Sequence, residues 1–98
     1  MNKFLVLFEK SSTGYGAYAP DLPGCVATGR TLEETRGRMA KAMEMHVSAM
    51  REDGEPIPTP GGPESYRKVM KDLDVNRYVL GHVQVDIKRV RALASHLG

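Results

Sequence analysis

A chain of 98 residues has room for one domain with one hydrophobic core, and a domain of this size buries only about two-thirds of the surface its unfolded chain exposes. Lys and Arg total 14 against 12 Asp and Glu, a formal net charge of +2 mixed along the sequence, which excludes a dedicated polycationic nucleic-acid binder and an acidic solvating tail. The hydrophobic share of 41% suffices for a core, the single cysteine, Cys25, excludes an internal disulfide framework, and no apolar run approaches the ~18 residues of a membrane span.

Residues 3–10 read as a strand. Phe4, Leu5, Val6, Leu7 and Phe8 form an unbroken apolar run that suits a central strand covered on both faces. The run is also too short for a signal peptide, so the expected compartment is the cytoplasm. Ser11-Ser12-Thr13-Gly14 is a turn cluster leading to a second strand, Tyr15-Gly16-Ala17-Tyr18-Ala19. Pro20-Asp21-Leu22-Pro23-Gly24 breaks regular structure, because its prolines fix bends and remove donors. Cys25-Val26-Ala27-Thr28-Gly29 follows as a short third strand.

Thr31-Leu32-Glu33-Glu34 is a capping box, with Thr31 as N-cap and Glu34 reaching back to its amide. Behind it, Leu32, Met39, Met43, His46, Val47 and Met50 recur at helical spacing on one face, which predicts a helix from Leu32 to about Glu52, roughly 30 Å long. Asp53-Gly54 supplies the left-handed stop. Residues 54–63 hold four prolines and three glycines and read as a stiff loop. Tyr66, Val69, Met70 and Leu73 suggest a second, short amphipathic helix. Tyr78 to Ile87 alternates as a last strand, and residues 88–98 form a basic tail. The whole chain, 1–98, is expected to be one α+β domain of order β-β-β-α-(α)-β. It has a single sheet with helices on one face, and its last strand returns parallel to the first through a right-handed crossover.

The segment from Tyr15 to Cys25 resembles the signature of HicB-like antitoxin domains. The resemblance continues through Gly29-Arg30-Thr31-Leu32-Glu33-Glu34, Met43-Glu44-Met45-His46 and Glu52-Asp53-Gly54-Glu55-Pro56-Ile57-Pro58, and covers about residues 3–60 in order. It implies a partial ribonuclease-H-like fold and a bacterial toxin-antitoxin role. Members bind and block HicA, a small mRNA-cleaving toxin that resembles a double-stranded-RNA-binding domain. Many carry a C-terminal helix-turn-helix or ribbon-helix-helix module that binds their own operator. The residues after Ile87 are too few for either, so the expectation is a stand-alone form without DNA binding. Its partner is then a HicA-like toxin or, in the alternative, further copies of itself in a dimer or tetramer with no toxin.

Ribonuclease-H chemistry needs carboxylates converging on two metal ions, one of them within the first strand. Leu5-Val6-Leu7 occupies that place here, and Glu9, Asp21 and Asp86 each have ordinary structural explanations, so no catalytic residue, metal or cofactor is expected. His46 reads as a core or boundary residue, while His82 and His96 read as exposed or interfacial. Cys25 reads as a buried inert thiol. The residues assigned to partner binding are Tyr15, Tyr18, Asp21, Leu22 and Pro23. The proline-stiffened loop presents its groups at low entropic cost, although it also serves simply to turn the chain between strands. The two tyrosines fall on opposite faces of their strand, one toward the core and the other toward an interface.

Overall fold

The apolar run Phe4–Phe8 makes the central strand. The computed structural model, which describes residues 2–61, 67–69, 71 and 77–85, gives the order β1 (Asn2–Lys10), β2 (Tyr15–Tyr18), β3 (Val26–Gly29), α1 (Leu32–Glu52) and β4 (Tyr78–Val85). The four strands form one sheet in the order β3-β2-β1-β4, with every neighbouring pair antiparallel. Phe4, Val6 and Phe8 point to one face, where Met39, Met43 and Val47 of α1 close over them. Each such side chain, fully withdrawn from water, stabilises the fold by about 1.5–3 kcal/mol. Leu5 and Leu7 point the other way and are still only 4% and 1% exposed. The run is therefore buried on both faces, as its lack of alternation requires.

The helix begins as the capping residues dictate. Thr31 has extended backbone angles, and its hydroxyl accepts from the Glu34 amide at 3.1 Å. The reciprocal half of the expected capping box is absent. The Glu34 carboxylate turns instead to Arg38, 2.8 Å away, one helical turn on. Thr35, Met39, Met43 and Val47 form a stripe at four-residue spacing, and all four are fully buried. The Thr35 hydroxyl is satisfied by donating to the Thr31 carbonyl at 2.7 Å. Leu32 and Met50 pack against this core from its margins. Gly54, at φ +72°, follows Asp53 and ends the helix in the left-handed conformation that glycine adopts without penalty.

β4 runs opposite to expectation. It pairs antiparallel with β1 over eight residues, from Glu9↔Tyr78 to Asn2↔Val85. The right-handed crossover rule applies when a strand, a helix and the next strand follow with one crossing of the sheet. Here the first link after the helix is fastened at the far end, where the Gly61 amide donates to Asp21 at 2.8 Å. The Arg77 carbonyl accepts from the Lys10 amide at the near end, so β4 starts at the end of the sheet from which α1 departs. Residues 67–69 and 71 are helical, within the expected second helix. Tyr66, Met70 and Leu73, positions 62–63 of the loop, Asp86, the Ile87 end of the last strand and the 88–98 tail lie outside the described residues. No helix among the described residues is long and apolar enough to cross a membrane.

Candidate functional site

The loop between β2 and β3 is built as two successive turns. The Leu22 amide donates to the Ala19 carbonyl, and the Cys25 amide donates to the Leu22 carbonyl, each at 3.1 Å. Leu22 itself is fully buried in the core cluster with Ala19 and Cys25, so its side chain anchors the loop and is not available to a partner. The sequence reading that placed it at an interface is corrected by that burial. Asp21 ties the loop outward, through its bond to Gly61, to the proline-rich stretch in which Ile57 also packs on the core. The loop thus turns the chain between β2 and β3 and is tied down at Leu22 and at Asp21.

What the loop exposes is apolar. Tyr18 and Val26 stand opposite one another in the β2–β3 register, at the root of the loop and on the face away from α1. They are 41% and 65% exposed, and Pro23 is exposed between them in sequence. In the same register Tyr18 neighbours Leu7, which is only 1% exposed, so the exposed apolar patch stops at Tyr18. Tyr15 takes the opposite face, as the spacing of the tyrosines requires, and packs against the core. It also lines an open polar cavity of about 570 Å³ with Arg30, Glu34 and Arg38. Arg38 is already committed there to Glu34 and to the Thr28 carbonyl. Val26 was missed by the sequence reading, which treated it as one more strand residue. No signal in a four-residue strand distinguishes an inward from an outward valine until the register is known.

Among the described residues the titratable groups do not converge. Glu9 pairs with Arg77 at 3.1 Å and accepts a hydrogen bond from Tyr78, which pushes that phenol above its ordinary pKa. Asp21 lies beyond the opposite end of β2. Among the described residues no three His, Cys, Asp or Glu side chains are grouped so as to hold a metal ion. His46 is half-buried on α1, close to Gly24, and His82 is exposed on β4. Cys25 is buried, and burial raises its thiol pKa, so the thiolate fraction near neutral pH falls. Alkylation of Cys25 by iodoacetamide at pH 8 is accordingly expected to be at least tenfold slower in the native protein than after denaturation. Equal rates would remove Cys25 from the core.

The chain as a whole is similar to known proteins. A family model described as the HicB_like antitoxin of bacterial toxin-antitoxin system matches residues 4–97. The chain is 28% identical over 92 residues to an uncharacterized 14.9 kDa protein in the rep-hol intergenic region of Haemophilus phage HP1 (strain HP1c1), covering 94% of this chain and 67% of that protein. Its fold is similar to the Burkholderia pseudomallei antitoxin HicB, with a TM-score of 0.73 and 26% identity over 88% of this chain. It spans only 64% of that HicB chain. A chain of the HicA3 and HicB3 toxin-antitoxin complex is matched with a TM-score of 0.66 and 25% identity, covering 86% of this chain and 98% of that one.

Proposed function

This chain belongs to the HicB_like antitoxin family of bacterial toxin-antitoxin systems, and on that premise we propose that it is a non-catalytic binding module that neutralises a HicA-type, mRNA-cleaving toxin by covering it. The observation that carries this reading is the exposed pair Tyr18 and Val26 at the root of a loop held from three sides, by Leu22 in the core, by paired turns and by the Asp21–Gly61 bond. Such a surface binds without first being ordered, so little of its contact energy is lost to entropy. Tyrosine is also among the residues that most often dominate an interface. Pro23, on the same loop, extends the surface. Asp21 and Tyr15 support it from behind, one as a tether and the other as part of the core. The match to a chain of the HicA3 and HicB3 complex supports a toxin as the partner.

Masking is a steric task, and it needs shape and apolar contact more than reactive groups. The site would act in the cytoplasm, where the toxin's mRNA substrate is. The test is co-expression with a HicA-type toxin, with recovery of growth and co-purification as readouts. Restored growth together with a stable complex is expected. Continued growth arrest with no complex would sink the reading.

A further inference from the structure

β3 carries main-chain groups that the fold leaves open. Their direction follows from the turn between β1 and β2, where the Ser11 amide donates to the Gly14 carbonyl at 2.8 Å. Gly14 therefore turns its main-chain groups toward β1, and antiparallel alternation turns those of Gly16 and Tyr18 the same way. Tyr15 and Ala17 turn theirs toward β3, where Gly29 and Ala27 meet them in register. The amides and carbonyls of Val26 and Thr28 then point away from β2, to a side of β3 where no strand pairs among the described residues.

An arginine of α1 meets each edge of the sheet, but at different places. On β4, the bond from the Lys10 amide to the Arg77 carbonyl sets even-numbered residues outward, and Arg36 donates to the His82 carbonyl at 2.6 Å. His82 lies inside the Tyr78–Val85 strand, so Arg36 interrupts any ladder along that edge. On β3, Arg38 donates at 3.1 Å to the Thr28 carbonyl, the last outward group of the strand. Three outward groups precede it in succession: the Val26 amide, the Val26 carbonyl and the Thr28 amide. None of the three is engaged among the described residues. They adjoin the exposed Val26 side chain, with the exposed Tyr18 beside it on β2.

We propose that the toxin engages this edge by strand addition, an extended segment of it pairing with β3 at Val26 and Thr28. The inference rests on the toxin-binding reading and specifies how that site is used. A donor, an acceptor and a second donor along one strand are satisfied together by a single extended backbone. A helix cannot serve, because its own main-chain groups are already paired within it. The added main chain supplies affinity, and the Val26 and Tyr18 side chains beside it select which segment fits. The added strand is short, since the left-handed Gly24, at φ +87°, bends the chain before β3 and Arg38 closes the other end.

Amide hydrogen exchange, read by NMR on the full chain alone and in complex with a co-expressed HicA-type toxin, tests this directly. The Val26 and Thr28 amides are expected to exchange at least tenfold more slowly in the complex, while the outward Leu80 and Gln84 amides of β4 keep their rates. Val26→Pro removes the donor at an edge position that tolerates proline, and Val26→Ala keeps the donor while removing more of the side chain. Val26→Pro is expected to bind the toxin at least tenfold more weakly than Val26→Ala, with unchanged circular dichroism. A complex in which the Val26 and Thr28 amides exchange as in the free chain, or in which protection falls on Leu80 and Gln84, would overturn strand addition and leave toxin binding standing. Equal affinity of the two Val26 variants would do the same. Absence of any complex would remove the toxin-binding reading and this one with it.

Discussion

Gly29→Ala is expected to remove most of the stability of this domain. A Cβ at position 29 would stand 2.5 Å from the Thr35 hydroxyl oxygen and 2.9 Å from the Thr35 backbone nitrogen. Neither atom can give way cheaply. Thr35 is fully buried, its hydroxyl is bonded to the Thr31 carbonyl, and Thr31 caps the helix. The added methyl group must therefore push the first turn of α1 off the end of β3. Overpacking costs about 1–3 kcal/mol in general, and the upper end, about 3 kcal/mol, is expected where backbone is struck. Small domains have little more than about 5 kcal/mol to lose. Urea denaturation should show a midpoint lowered by more than half. Gly16→Ala is the control, because a Cβ there meets nothing within 4 Å, and its midpoint should stay near that of wild type. Equal midpoints for the two variants would contradict the close approach of α1 to β3.

That approach was not legible in the sequence, and the reason is general. Periodicity reports which face of an element is apolar, so Met39, Met43 and Val47 of the helix stripe and the alternation in β4 could be read from spacing alone, whereas the buried Thr35 could not. The cap could be read as well, because Thr31 and Glu34 act locally, although the Glu34 side chain chose Arg38 over the reciprocal bond. Spacing says nothing about strand direction. β4 was expected parallel to β1, and it is antiparallel: Gly61 lies at the Asp21 end of the sheet and Arg77 at the Lys10 end, so β4 starts where β1 finishes. The same blindness affects the candidate site. Leu22 sits in a loop bounded by prolines and reads as surface, yet it fills the core. Val26 sits in a strand and reads as one more strand residue, yet it is 65% exposed. Only Tyr15 and Tyr18 divided between the faces as their spacing of three demanded.

Substitution at Tyr18 and Val26 is expected to abolish toxin neutralisation without loss of fold. Both side chains project from the face away from α1, so truncating them removes little from the core, and changes of about 0.5 kcal/mol or less in stability are expected. Binding should respond differently. A central tyrosine truncated to alanine typically costs about 2 kcal/mol or more, which is roughly a thirtyfold loss of affinity. Val26→Asp places a carboxylate where the toxin would exclude water, and an unpaired buried charge costs more than a lost contact. Val26→Asp is therefore expected to be the more severe of the two, with no measurable complex by isothermal titration and no rescue of growth on co-expression. Val79→Asp, on the other side of the sheet, should still bind and neutralise the toxin. Wild-type affinity in both the Tyr18→Ala and Val26→Asp proteins would move the toxin to another surface. If all three variants bound weakly while melting normally, the toxin would have to contact both faces of the sheet.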